Sequence, residues 1–382
     1  MSLSQTEFID VAKENACDPR ATLDAILVSN PTYTVNVTQI AARIGNYRQQ
    51  GLLPLDSGVQ ISIGEVLRGT TTTYDALGNI KRQSVRTEVP KKTQHLDAFT
   101  QAIEEIASTI VPLTPTDPVE VTLDMEDLLT VYPIGDAHIG MLAWEKESGE
   151  DHDLKISEKR LSTAMNMAVD QALPTSEAFI VDVGDWFHAD DSSNRTSRGN
   201  NPLDVDGRFT KVLNVGLQIA ENMVLKALEK HSVVHWRSAI GNHNEHTSQY
   251  INIYLRGRFH NFKNVIIHDT PAMFDYYVFG KCLIGITHGH TAKADKLGEI
   301  MSVDMSDAWS QTKHRYWLTG HVHHQSVKEY PACVVETFRT LASKDSWHSS
   351  MGYRSGQDLK VITYHKDHGE VSRQTLNLSL IP

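Results

Sequence analysis

Five short clusters of oxygen and imidazole donors stand after residue 130, each at the end of an apolar run. LLTVYPIG leads into Asp136-Ala137-His138, and AFIVDVG into Asp185-Trp186-Phe187-His188. SVVHWRSAIG leads into Asn242-His243, CLIGIT into His288-Gly289-His290, and RYWLTG into His321-Val322-His323. Residues two apart on extended chain point the same way, so Asp136 with His138, and His321 with His323, can each offer two ligands to one ion. Carboxylate, amide and imidazole donors without thiolate suit Mn²⁺, Fe or Zn²⁺ in a reactive centre better than a structural zinc. Any one cluster alone reads equally as a turn or a satisfied polar pair, because Gly, Asp and Asn tolerate turn backbone. Five in series point to a metal site.

Donors in this pattern need strands that end together. From about residue 126 apolar strand runs alternate with helical stretches at 154–173 and 209–230, which is α/β behaviour, and ligands in open α/β sheets gather at the carboxyl ends of strands. Of 19 histidines only His95 precedes residue 130; the other 18 lie between His138 and His368, so the chemistry belongs to the second part of the chain. Residues 333–376 read as closing strands, with the Ser- and Gly-rich stretch 342–356 as a loop near the site.

The first part reads as an accessory. Helices are expected near 5–15, 19–29 and 36–49, so that 1–55 is helical, and TVNVTQIAARIG (34–45) has the spacing of a helix-turn-helix second helix or of a plain three-helix packing unit. Residues 56–125 combine a β-hairpin turning at 76–79, a helix at 94–110 and a linker stiffened by three prolines. Lys81, Arg82, Arg86, Lys91 and Lys92 form the most basic patch, either a solvated hairpin face or a phosphate contact. Residues 126–382 are then the catalytic domain. The chain holds 382 residues, 36 basic against 47 acidic, for a net charge of −11. A broad cationic surface for nucleic acid is thereby excluded, and any phosphate must be held locally. Cys17, Cys282 and Cys333 are too few and too scattered for a disulfide framework. No stretch approaches the roughly 20 apolar residues of a membrane helix, and the amino terminus lacks signal-peptide regions. A cytoplasmic chain is expected, with no membrane partner.

The series GDAHIG, VGDWFH, GNHNEH, THGH and TGHVHH resembles, in order, the five signature blocks of the calcineurin-like metallophosphoesterase superfamily. GDAHIG and GDWFH look most like SbcD-type DNA repair exonucleases. LDVDGRFTKV, HTSQYINIYL, TLASKDSW and TTTTYDALGN look similar to phosphoesterases encoded in phage genomes, which would place the protein in a bacterial host's cytoplasm. The resemblance implies a β-sandwich flanked by helices (αββα) beside the small α+β amino-terminal region. It implies two divalent ions, Mn²⁺ first with Fe or Zn²⁺ as alternatives. Asp136, His138 and His323 would hold one, Asn242, His288 and His321 the other, and Asp185 would bridge them. A hydroxide shared by the ions would attack phosphorus in line, and His243 would give a proton to the leaving oxygen. The family often has Asp after its GNH block where this chain has Asn244, so the orientation of His243 falls to Glu245 or another carboxylate.

The implied activity is a two-metal phosphodiesterase, expected to be a DNA nuclease of exonuclease type with a possible partner ATPase. The alternatives are a phosphatase or phosphodiesterase on nucleotides or phosphoproteins, and a DNA-binding or assembly module with a vestigial metal site. For substrate, Arg195, Arg198 and Arg208 in the polar loop 189–208 are candidates to grip a phosphate, unless Asp204 and Asp206 pair with them. Trp186, with Phe187, could stack a base or simply wall the pocket. His188 and His290 are expected at the rim or behind the ligands.

Overall fold

A computed structural model describes residues 4–31, 34–49, 52–53, 66–74, 80–88, 111–122, 125–197 and 199–381. The chain divides into two compact units, Met1–Ala98 and Phe99–Pro382.

In the first unit, helices α1 (Gln5–Glu14), α2 (Pro19–Ser29) and α3 (Val37–Gln49) close over Phe8, Leu23, Ile26, Ile40 and Ile44. Local chemistry sets their starts. Ser4 and Glu7 form a reciprocal capping box on α1, while Asp18 accepts the N–H of Ala21 and Pro19 opens α2. Strands β1 (Val66–Tyr74) and β2 (Ile80–Glu88) pair antiparallel. The expected turn at 76–79, the helix at 94–110 and Lys91 and Lys92 lie outside the described residues, as do the side chains of Lys81, Arg82 and Arg86.

The second unit is built on two mixed sheets. In the first, β3 (Leu128–Ile134), β4 (Glu177–Asp182), β5 (Val233–Ser238) and β6 (Val265–Ile267) run parallel and side by side. An antiparallel pair, β12 (Asp358–His365) and β13 (Gly369–Asn377), extends the sheet beyond β3. In the second sheet β7 (Asp275–Phe279), β8 (Cys282–Ile286) and β9 (His314–Thr319) are followed by β11 (Val334–Thr337) and the edge strand β10 (Ser326–Glu329). There β8, β9 and β11 are parallel.

The period-2 alternation of the strands sorts side chains into layers. Leu129, Val131, Phe179 and Val181 point between the sheets, where they meet Ile284, Ile286, Leu318 and Phe338. Their neighbours Tyr132, Ile134, Ala178 and Ile180 point the other way, onto the helices that follow the short α4 (Glu145–Ser148): α5 (Leu154–Gln171), α6 (Phe209–Leu228) and α7 (Thr247–Arg258). Across the second sheet, Leu283, Trp317 and Val335 pack on Leu297 and Met301 of α8 (Leu297–Asp304). The result is the expected four-layer α–β–β–α stack. Cys17, Cys282 and Cys333 are buried and free. Among the described residues no helix is long and apolar enough to cross a membrane. The stretch 342–356, expected as a loop, contains a short helix at Ser346–Ser350.

Candidate metal centre

Every donor cluster follows the carboxyl end of a strand. Asp136 and His138 follow β3, Asp185 follows β4, Asn242 and His243 follow β5, His288 follows β8, and His321 and His323 follow β9. Two parallel sets thus deliver side chains from both sheets to one end of the sandwich.

The chain leaves these strands abruptly. Asp136 (φ 34°), His138 (42°), Asp185 (57°), His321 (73°) and His323 (56°) all adopt the left-handed region that costs a side-chain-bearing residue energy. Hydrogen bonds between the loops hold them there. The Asp136 carboxylate accepts the His321 N–H at 3.0 and 3.1 Å, and the Thr340 hydroxyl donates to the Asp136 carbonyl at 2.8 Å. Asp185 accepts the His138 N–H on its carbonyl and the His243 N–H on Oδ1, at 2.9 and 2.8 Å. Glycine is required at 241 by close approach, since a Cβ there would stand 2.0 Å from Asp185 Oδ1.

Among the described residues three groups of donors result; one, His138 with His188 and His243, holds no carboxylate, and the other two each hold one. Asp136, His138 and His323 present atoms within 4.8 Å of one another, with the two Nε2 atoms 3.1 Å apart and Asp136 Oδ1 3.3 Å from His323 Nε2. Asp185, His288 and His321 form the second group, and Asn242 Oδ1 lies 3.1 Å from His288 Nε2. The chemistry of these groups fits a cation. His288 Nδ1 donates to the Val183 carbonyl at 2.9 Å, so in a neutral ring Nε2 carries a lone pair. That lone pair faces Asp185 Oδ2 at 3.0 Å and the Asn242 oxygen, acceptor against acceptor. Only a proton or a metal ion reconciles three converging acceptors. Burial works against a charged His288, yet the Asp185 carboxylate overcomes it and pushes the ring up to about 9. Burial, with His243 and His323 nearby, drives His138 well below the ordinary histidine range and so keeps it a neutral ligand. His321 is lowered by burial and then by His288.

His243 is oriented without an acid. Its Nδ1 sits 2.8 Å from the backbone carbonyl of His188, which leaves Nε2 for the cleft that the ring lines. The oxygen of the buried Asn244 does a different task, accepting the N–H groups of Asp185 and Gly241 at 3.1 Å each. His188, expected at the rim or behind the ligands, is buried against His138. Its Nδ1 lies 3.1 Å from His138 Nδ1, its ring stacks on His243, and burial depresses it to about 3. His290 places its ring 5.3 Å from His288 and 6.0 Å from His321, outside both donor groups.

The substrate candidates fare differently. Trp186 is not a stacking surface: it is fully buried in the helix-side core, its indole N–H donates to the Gly216 carbonyl at 3.2 Å, and its ring meets Trp236 edge-on. Phe187 is buried beside it. Arg195 turns back on its own loop to the Asn200 carbonyl at 2.8 Å, Arg208 is exposed at the start of α6, and neither lines the cleft. Arg198 lies outside the described residues. Asp206 accepts the Leu154 N–H at the head of α5 rather than an arginine.

Asp345, His348 and Tyr353 were not singled out by the sequence reading, and the structure brings them to the site. Asp345 Oδ1 meets both the backbone N–H and Nδ1 of His348 at 2.7 Å, and the His348 ring stacks on His323 at 4.5 Å and 17°. Burial works against the Asp345 charge, but the His348 bond holds its carboxyl at about 2. An Asp three residues before a His, ahead of a Ser-rich turn, is the capping pattern that could have flagged them. The cleft over both donor groups has a volume of about 760 Å³, with Thr196, Asn201 and Asp204 on the facing side.

No protein-family model matches the chain, and no curated protein matches it. Solved structures do. A dimetal phosphatase of Danio rerio shares 8% identity over 69% of this chain and all of its own, with a TM-score of 0.35. An archaeal phosphodiesterase shares 12% identity over 65% of this chain and 99% of its own, at 0.34. A conserved Streptococcus pneumoniae protein described as a predicted phosphoesterase shares 11% over 65% and 98%, at 0.27.

Proposed function

We propose that the protein is a phosphodiesterase dependent on two divalent ions, with DNA as its leading substrate. The convergence of acceptors in two adjacent groups, with His243 beside them on the cleft wall, carries this reading. Asp136, His138 and His323 would hold one ion and Asn242, His288 and His321 the other, with Asp185 available to both. When bound, the ions supply Lewis acidity, which makes water a nucleophile at neutral pH and neutralises the phosphate oxygens. The residues of the chain do the rest. Asp185, its carboxyl held well below the ordinary range by His288 against the effect of burial, stays anionic in the site. Water oxygen bonds to phosphorus as the opposite P–O bond breaks, and His243 Nε2, in its protonated form, gives its proton to the departing oxygen. The His188 carbonyl keeps the ring aimed at the cleft.

The DNA assignment rests on the likeness of the GDAHIG and GDWFH blocks and on the basic residues of the hairpin. A second reading, a small phosphate ester, is favoured by a specific observation: among the described residues no Lys or Arg lines the cleft. Both are tested together. Metal-stripped protein, re-supplied with Mn²⁺, is offered labelled duplex and single-stranded DNA beside an aryl phosphodiester and monoester, with His243→Ala in parallel. Mn²⁺-dependent DNA cleavage that fails in the variant is the expected result. Hydrolysis of small esters with DNA untouched moves the assignment to the second reading, and no hydrolysis by metal-loaded protein sinks both.

A further inference from the structure

The cleft has an aromatic wall that neither the donor groups nor His243 requires. His323 stacks on His348, and His348 in turn meets Tyr353 edge-on at 5.4 Å and 69°, so rings run without a break from a metal donor toward the solvent. Tyr353 lines the cleft and is 38% exposed, with Val322, 39% exposed, on the same cleft. Asp345 pins His348 through two hydrogen bonds, so the wall is set before any ligand arrives. Thr196 and Asn201 face it from the 194–204 loop with a hydroxyl and an amide.

We propose that His348 and Tyr353 form a subsite for a nucleobase, and that the preferred substrates are nucleoside phosphate esters recognised through one phosphate and one base. The inference rests on the phosphoesterase reading and, within it, takes the small phosphate ester rather than DNA. The chemistry of the cleft selects this ligand over a long polyanion. Among the described residues no Lys or Arg stands on the cleft wall to hold a phosphate chain, whereas a planar ring gains from stacking and its edges find polar groups on the facing loop. Two ring steps out from His323, Tyr353 is placed for a base whose phosphate sits at the donors, joined to it by one sugar. The rings that the sequence offered for stacking, Trp186 and Phe187, are buried, and among the described residues His348 and Tyr353 are the aromatic side chains beyond the donor histidines, His188 and His243 that line the cleft.

The test uses the full chain loaded with Mn²⁺. Calorimetric titration compares thymidine 5′-monophosphate with 2-deoxyribose 5-phosphate, which lacks the base. Turnover compares the p-nitrophenyl ester of thymidine 5′-phosphate with methyl p-nitrophenyl phosphate, which shares its leaving group. Stacking predicts a preference of about tenfold for the base-bearing partner in each pair, lost in Tyr353→Ala and kept in Tyr353→Phe. Equal affinity for the two monophosphates in the unsubstituted protein, or a preference that survives in Tyr353→Ala, overturns the subsite. The two readings fail separately. Hydrolysis of both esters at the same efficiency removes the subsite and leaves the phosphoesterase; a binding preference without hydrolysis of either ester leaves the subsite and removes the phosphoesterase.

Discussion

His243 and Asn244 are adjacent and work on different problems. His243 faces the cleft, held by a backbone carbonyl, and its loss removes a proton donor without touching a metal donor. His243→Ala should lower kcat by about 10²–10⁴-fold at unchanged metal content, measured by turnover beside elemental analysis. Asn244 faces inward, and its oxygen satisfies two buried N–H groups on separate loops. Asn244→Ala should cost about 2 kcal/mol or more in a denaturant titration, because both donors are orphaned at once. The sequence showed Asn244 only as a place where a carboxylate was expected. Its real partners, Asp185 and Gly241, include one that lies 59 positions away, a distance that no spacing rule reads. The gathering of the seven candidate donors was legible because each follows an apolar strand run, and that signal is local. The burial of Trp186 was not, since an indole beside a donor looks the same whether it faces the cleft or α6.

At the scale of elements, the loop that carries Asn242 and His243 is fastened from outside. The Asp190 carboxylate accepts the N–H and Nδ1 of His246 and the N–H and hydroxyl of Thr247, all between 2.7 and 3.1 Å. It thereby caps the first turn of α7 and ties that turn to the chain just beyond Asp185. Asp190→Ala should lower stability by about 1–2 kcal/mol and weaken metal binding at the Asn242–His288 group, read by competition with a chelator; Asp190→Ser, which keeps an acceptor, should recover part of both. The alternation of strand and helix told where β3, β4, β5, α5 and α6 lie, because long periodic stretches declare themselves. The Ser346–Ser350 helix did not, since its anchors, the Asp345–His348 pair and the His348–His323 stack, join residues with no periodic signal.

Across the whole second unit, histidines are used as buried neutral groups well away from the cleft. His231 bonds to Tyr132 and Thr175, and His152 to Ser157 and Ser343; burial lowers each to about 4, as it does His268. A histidine depressed in the folded state contributes stability that is present above its unfolded value near 6.5 and is lost as pH falls through 4. Each of these contributes on the order of 3 kcal/mol at the limit. The melting temperature should therefore fall steeply between pH 6.5 and 4, and His231→Gln should flatten that slope; an unchanged slope would remove His231 from the account. None of this was readable beforehand, because a histidine in the short connection between two elements looks the same whether it meets water or a threonine.

The five donor-bearing residues with left-handed backbone set heat survival against use. Each is bent into a conformation that glycine would take without cost, and His321, at φ 73°, is the most exposed of the five although its ring meets His288 edge-on. In the absence of metal, His321→Gly should melt at or above the unsubstituted chain, by up to about 2–4 °C for each kcal/mol of strain released; with metal present the order should reverse. A library of this chain sorted by endurance alone would drift toward glycine at that position and end inert. The intact set of donors marks a chain kept for what it binds.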